Sequence, residues 1–557
     1  MAYFLIGDPT LRNFWRQIIL TLVCLILSSC SYLKEARDQN KNEGNTIYSK
    51  KQFSFIAVDE PRAALVGRDI LTSGGSAVDA AVATYFTLSV TKPAAASLGG
   101  GGICLVRDFK SQKVELLDFT SQLAKGKENS GQVKVAIPAN PFGFFALHTK
   151  YGVLNWERLI RPAENLARFG VKVSRVFSND LHMAAPLLKK GQGARGIFFR
   201  KNGGKILKEG DIVKQTELSS ILSIIRSKGA GSLYKGAIAK QFAKAIESSD
   251  GNLTYKDLRN FKPAWRVPIT LPFIHGTTIH FPSPPLASGI IIAQVMSMLL
   301  HDNLYIDADK VERAHLKAEA LERAFSDRKR WNNDTLNQNS SKILLSKSHI
   351  RNLLASYDSQ RRVITPNAIR AALDPTSQSS GMSFVIVDSN GSVVTCSLSM
   401  NRPFGIGRIA QGMGVVLGAP PEEKTLLEPL AVMIVDSKLG KNVYFASGAS
   451  GGAVAVSSLV NVAIEVLVAE ESTLSSALEM KRVHQGGADR VTYIEKGISS
   501  EVLEGLARRG HKLAYVNSMG VVNAVFCKSG LPRKNLEDVN CKVESDPRGF
   551  GLSTVSE

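Results

Sequence analysis

Two stretches in the C-terminal third constrain the fold most. Ser383 to Asp388 and Ser392 to Met400 are apolar-rich runs separated by Asn390-Gly391. Asn and Gly tolerate the positive φ angles that a tight primed turn requires, so the spacing predicts an antiparallel hairpin. A second hairpin is predicted where Ala431 to Val435 and Asn442 to Ser447 flank Lys438-Leu439-Gly440. Near the other end, Pro61 to Leu71 has a helical pattern, Gly74-Gly75 interrupts it, and Ser76 is placed to cap a second helix beginning Ala77-Val78-Asp79. Gly99 to Gly102 then precede an apolar strand, Ile103 to Val106, with Lys113 to Phe119 as its partner. Amphipathic helices and short loops alternate from Trp156 to about Ala355. Helices at both ends with hairpins between them predict an α/β fold of the α+β type, a layered sandwich on antiparallel strands. The repeated βαβ units of a doubly wound parallel sheet are missing.

The 557 residues suffice for a large core, and 44% apolar with 21% charged residues excludes a mostly disordered chain. Ile18 to Leu27 is an uninterrupted apolar run near the start, and a polytopic membrane protein is not expected. That run is half of the roughly twenty residues a spanning helix needs. With Arg12 and Arg16 before it and Ser28-Ser29-Cys30 after it, residues 1–29 read as a signal peptide. Leu27-Ser28-Ser29-Cys30 resembles a bacterial lipobox, which implies a lipid on Cys30, and Ser31 implies sorting to the outer membrane, facing the periplasm. The polar residues 30–51 read as a tether.

Export sets the reading of the remaining cysteines. Cys527 and Cys541 flank the turn Gly530-Leu531-Pro532 and are expected to form a disulfide. Cys104 and Cys396 lie in apolar runs and are expected to be buried small hydrophobes. The net charge of +20 comes from scattered Lys and Arg without a recognition motif. Nucleic acid is therefore not an expected partner, whereas an anionic envelope surface is.

No His-x-x-x-His or Cys-x-x-Cys occurs, so no metal site is expected, and no cofactor motif is present. Gly99 to Gly102 lack a following Gly-Lys-Ser/Thr and lead into a strand, which points to close backbone packing rather than phosphate binding. Gly448-Ala449-Ser450-Gly451-Gly452 matches Gly-x-Ser-x-Gly, with His484 or His511 as a candidate base. The hairpins around it are not those of an α/β-hydrolase.

Several blocks occur in one order along the chain. They are Gly74 to Ala83 with Leu98 to Gly102, Ala136-Ile137-Pro138 with Leu147 to Gly152, and Leu253 to Leu258. Pro282 to Gly289, His315 to Ala320 with Ala324 to Arg328, and Asp546-Pro547-Arg548 follow. From Phe55 to Gly551 the chain resembles the γ-glutamyltransferase family of N-terminal-nucleophile hydrolases. The resemblance implies an αββα sandwich and γ-glutamyl transfer or hydrolysis on glutathione-type substrates. It also implies self-cleavage that divides one domain into residues 52–380, like a large subunit, and 381–557, like a small one. The new N-terminal threonine of the family is nucleophile and, through its amine, base.

At the implied site the sequence departs from the family. Aligning the family segment Thr-Thr-His-aromatic-Ser-Val-Val-Asp on Asp388 puts Gly381 at the nucleophile. Ser379, Ser380 and Ser383 are nearby hydroxyls. A slip of one residue turns every strand side chain to the other face, and starting at Ser383 displaces the amine by about 6.6 Å. Ser380, reached by a small insertion, is the least strained substitute. Thr120 in Asp118-Phe119-Thr120-Ser121 stands where the family has an Arg for the substrate α-carboxylate, a loss of roughly 1.5–3 kcal/mol. Ala431 and Val432, after Pro429-Leu430, replace two serines, and Glu423 stands for the acid that takes the α-amine. Ser399 keeps a hydroxyl where a threonine supports the nucleophile, Asn401 matches a substrate-contacting Asn, and Gly451-Gly452 match the oxyanion-hole pair. The expectation is a family member whose activity is lost or strongly altered. The alternatives are an N-terminal-serine amidohydrolase using Ser380 on an acyl-amide lacking the amino-acid head, and a lipoprotein that binds a small γ-glutamyl ligand or acts as a scaffold without chemistry.

Overall fold

Strands that are apolar on both faces must be covered on both, and that requirement explains the layers. In the computed structural model the strands of the two large sheets are β1 (Ser54–Val58), β2 (Gly101–Asp108), β3 (Lys113–Phe119), β4 (Ala264–Arg266), β5 (Ile269–Pro272), β6 (Thr277–Phe281), β7 (Gly381–Val387), β8 (Val393–Ser399), β9 (Ala431–Ser437), β10 (Val443–Ser450), β11 (Val521–Leu531), β12 (Cys541–Ser545) and β13 (Leu552–Ser556). One sheet has the order β13-β1-β7-β8-β2-β3-β4 and the other β12-β11-β10-β9-β6-β5, with every neighbouring pair antiparallel. The principal covering helices are α1 (Pro61–Thr72), α2 (Ala77–Thr91), α3 (Ala287–Leu299), α4 (Lys310–Asp327) and α5 (Ala455–Val468).

Alternation along the strands assigns each side chain to a layer. Ile56, Val58, Phe384 and Ile386 pack with Val82 and Phe86 of α2, on the outside of the first sheet. Phe55, Ala57, Val385 and Val387 point the other way and meet Val432, Ile434 and Ala446 between the sheets. Ala431, Met433 and Val435 face α3 and α5 beyond the second sheet. The result is the αββα order, helices outside and two sheets within. Each such apolar side chain contributes about 1.5–3 kcal/mol on burial, so both faces are needed to hold the stack together.

The described residues are 53–126, 131–200, 204–328, 336–365, 381–421, 430–469, 472–486, 490–532 and 539–556. Residues 1–29, the tether 30–51 with Cys30, Ser379, Ser380 and Glu423 lie outside them. Residues on either side of position 380 share the first sheet, since β1 to β4 precede it and β7, β8 and β13 follow it. Residues 53–557 accordingly form one unit.

Two local expectations need correction. The ladder of β7 and β8 ends at Val387 and Val393, and Asp388 N donates to Ser392 O, so Ser389-Asn390-Gly391 form a three-residue loop, not a two-residue primed turn. The Asp388 carboxylate accepts from the N–H groups of Asn390 and Ser392, both at 3.0 Å, and Gly391 takes the positive φ of 86°. Cys104 and Cys396 are buried but are not free thiols. They are Cα partners on β2 and β8 and are joined by a disulfide, with Cα atoms 4.1 Å apart. Their separation of 292 residues hid the register that makes them neighbours. Cys527 and Cys541, partners on β11 and β12, form a second disulfide. In the helical hairpin, Ser76 caps α2 through a reciprocal pair with Asp79.

Candidate active site

Four strands of the first sheet end on one line. Gly381 opens β7 opposite Ser399, the last residue of β8, and Ser399 lies opposite Gly101, the first of β2. Gly102 pairs with Phe119, so Thr120 follows at the end of β3. Register thus brings Gly381, Ser399 and Thr120 to one edge although they lie far apart in sequence. Gly100 and Gly101 permit the close approach: a Cβ on Gly100 would lie 2.6 Å from Ser399 O, and one on Gly101 2.5 Å from Ser121 N. The glycine run serves backbone packing, as its sequence context suggested.

The polar groups on this edge are tied into the fold. Thr120 N and Oγ1 donate to Asp118 Oδ1 at 3.0 and 2.8 Å, and Arg266 Nε donates to Asp118 Oδ2 at 2.9 Å. Asn401, at φ 61°, donates from its backbone N to Ser399 Oγ at 2.9 Å and from Nδ2 to Ala419 O at 2.8 Å. Its amide therefore fixes the loop beyond β8.

Just inside the edge lies Asp59, which sequence reading missed. Its Oδ2 accepts from Ser383 N at 2.9 Å and Ser450 Oγ at 3.3 Å, and its Oδ1 accepts from Asn523 Nδ2 at 2.6 Å. Asn523 Nδ2 also reaches Ser383 O at 2.9 Å. One carboxylate thereby joins β7 of the first sheet to β10 and β11 of the second. Burial raises its pKa, opposed by Lys92 and by these donors. The signal was an acidic pair, Asp59-Glu60, between an apolar strand and a proline-initiated helix.

Ser383 is fully buried and its hydroxyl donates to Gly448 O at 3.0 Å, so it has no amine or hydroxyl available at the edge. The same bond, with that of Ser450 to Asp59, brings the end of β10 toward Gly381. Gly451 and Gly452 follow there, at φ 138° and 60°, where the chain turns from β10 into α5. N–H groups at a helix start carry partial positive charge. The Gly-x-Ser-x-Gly reading finds no base at Ser450: His484 is bonded to Ser457 at 2.6 Å and His511 to His315 at 2.7 Å. Ala431 and Val432 are fully buried core residues on opposite faces of β9, Ala431 toward the helices and Val432 between the sheets.

An αββα sandwich with its candidate nucleophile position at the start of a central strand defines the class of N-terminal-nucleophile hydrolases. The chain belongs to the gamma-glutamyltranspeptidase family, whose profile matches residues 63–555. Several of its relatives are named glutathione hydrolases. It is 26% identical to the glutathione hydrolase proenzyme of Escherichia coli K12 over 515 residues, covering 85% of this chain and 88% of the relative. It is also 26% identical to Scoloptoxin SSD14 of Scolopendra dehaani, covering 94% and 97%. Among solved structures, cephalosporin acylase from Bacillus halodurans has the same fold, with a TM-score of 0.76 at 19% identity over 90% of this chain and 96% of that one. The gamma-glutamyltranspeptidase of Helicobacter pylori is similar with a TM-score of 0.51 at 27% identity, covering 55% and 92%.

Proposed function

We propose that this protein is a γ-glutamyltranspeptidase-family lipoprotein, anchored through Cys30 in a bacterial outer membrane, whose γ-glutamyl transfer and hydrolysis are lost or strongly altered. The observation that carries the reading is the register of Gly381 with Ser399. The family's chemistry needs a hydroxyl on the residue that becomes the new N-terminus, activated by that residue's own amine. Glycine at that position has no side-chain hydroxyl for such an amine to activate.

The substrate contacts support the same reading. Thr120 cannot form the bidentate pair that an arginine makes with a carboxylate, and its hydroxyl is already donated to Asp118. Ala431 and Val432 present no hydroxyl. Among the described residues, Ser399, Asn401 and the Gly451-Gly452 turn remain as a frame around a position with no side chain.

Denaturing electrophoresis of the purified mature protein, with a γ-glutamyl-p-nitroanilide assay on the same preparation, tests this. The expected result is one chain and no release of nitroaniline above the blank. Two chains divided near residue 380 would overturn the proposal. Sequencing the N-terminus of the smaller chain would then show whether Ser380 is the nucleophile of an active amidohydrolase.

A further inference from the structure

A helical turn puts residues four apart on one face, and α4 carries His315 and Glu319 at that spacing. His511, which directly precedes the strand Lys512–Val516, meets them from 196 residues away. His315 Nδ1 and His511 Nε2 are 2.7 Å apart, and one carboxylate oxygen of Glu319 lies within 4.8 Å of both ring nitrogens. His315 and Glu319 are fully buried and His511 is 6% exposed.

The groups around these three side chains orient them. His315 Nε2 lies 2.9 Å from the Asp358 carbonyl, which only accepts, so His315 carries its proton there and turns an Nδ1 lone pair inward. His511 Nδ1 lies 2.9 Å from Thr492 Oγ1, which accepts a proton equally well and leaves Nε2 facing inward as a second lone pair. Glu319 Oε2 accepts from Arg323 Nη1 at 2.6 Å and from Val363 N, while the buried Oε1 has no hydrogen-bond partner. An outer ring nitrogen held by a carbonyl or hydroxyl, with the inner one presented to a ligand, is how metal-binding histidines are positioned.

We infer that His315, His511 and Glu319 form a binding site for a divalent transition metal, for which Zn²⁺ fits the donor set of two imidazoles and one carboxylate. A bare His–His hydrogen bond accounts for the ring contact but leaves Glu319 Oε1 buried and unpaired. A cation between the three groups replaces the ring contact with bonds to both imidazoles and gives the Glu319 carboxylate a further partner. Zinc–nitrogen bonds of about 2.0–2.1 Å in tetrahedral geometry separate the nitrogens by about 3.3 Å, so binding widens the present gap by about 0.6 Å. Nearby, Arg323 and Arg362 are ion-paired with Glu319 and Glu322. The metal ties α4, outside the second sheet, to the small sheet of Val483–His484, Val491–Glu495 and Lys512–Val516. The site does not rest on the reading of Gly381.

Chelator-treated mature protein dialysed against ZnCl₂ and assayed for bound metal tests the site. The expected result is one equivalent of zinc above that held by the Glu319→Gln/His511→Gln double variant, with Glu319→Gln alone binding at least tenfold more weakly. Co²⁺ in place of zinc should give visible absorption bands that Glu319→Gln shifts and His511→Gln abolishes. Should His511→Gln fail to fold, Glu319→Gln decides by both readouts. Equal zinc stoichiometry and affinity in wild type and Glu319→Gln, or no zinc bound by wild type, overturns the inference.

Discussion

Gly381 and Ser399 are Cα partners where β7 and β8 meet the edge of the first sheet. A strand register is a strict constraint, because a shift of one residue exchanges the faces of every side chain along it. Here the faces are fixed independently: Phe384 and Ile386 belong to the helical layer, Val385 and Val387 to the layer between the sheets. The pairing that leaves position 381 without a side chain is therefore the one the two cores require.

Restoring a single group is expected to leave the site without activity. Thr120→Arg supplies a guanidinium at the position proposed to face a substrate carboxylate, but position 381 still lacks a hydroxyl. The variant should release no nitroaniline from γ-glutamyl-p-nitroanilide. Loss of the Thr120 hydroxyl bond to Asp118 should lower stability by about 0.5–1.5 kcal/mol, read as a lower urea midpoint. Turnover in this variant would show that a nucleophile exists elsewhere.

The two disulfides predict the thiol content. Mature protein alkylated under denaturing, non-reducing conditions should gain no label at Cys104, Cys396, Cys527 or Cys541, and label at all four after reduction, as mass spectrometry of its peptides will show. Cys104→Ala/Cys396→Ala should cost about 2–4 kcal/mol, since that bridge closes a long loop between β2 and β8. Label at Cys104 without reduction would remove the bridge from the protein.

Much of this was legible in the chain because it is local. The hairpin around Asn390-Gly391, the Ser76 cap and the partnership of Ile103 with the strand before Thr120 all follow from residues a few positions apart. What escaped is long-range. Cys104 and Cys396 each sit in an apolar run that says nothing of its neighbour, and Asp59 reads as a charge at a helix start until the sheets place Ser383, Ser450 and Asn523 around it. His511 likewise acquires chemistry only through α4. The placement of Gly381 needed both a family resemblance and the hairpin register, and neither alone defines an edge.

Acid should destabilise the metal-free protein through His511. The unfolded chain binds a proton at histidine near pH 6.5, whereas burial holds the folded His511 at about 3. Between those values the unfolded state carries a proton that the folded state does not. Stability therefore falls as the pH drops through that window, by about 1.4 kcal/mol per pH unit, and the contribution is complete above pH 6.5. Urea midpoints measured from pH 7 to pH 4 in the presence of chelator should fall more steeply for wild type than for His511→Gln. Parallel curves would mean that His511 titrates like an exposed histidine.

Asp59 is expected to be the polar joint between the sheets. Asp59→Ala removes the acceptor of Ser383 N, a buried backbone donor, and one of three acceptors around Asn523 Nδ2. A buried donor left unpaired costs about 1–3 kcal/mol, to which the lost volume adds, so the variant should lose about 2–4 kcal/mol. Ser450→Ala removes only the longest of these bonds, at 3.3 Å, and should lose less than about 1 kcal/mol. Urea unfolding distinguishes the two provided both keep the wild-type dependence on denaturant. Equal, small losses would mean that apolar packing alone sets how the sheets meet beneath Gly381. The expected inequality would assign that spacing to a carboxylate bonded to both sheets.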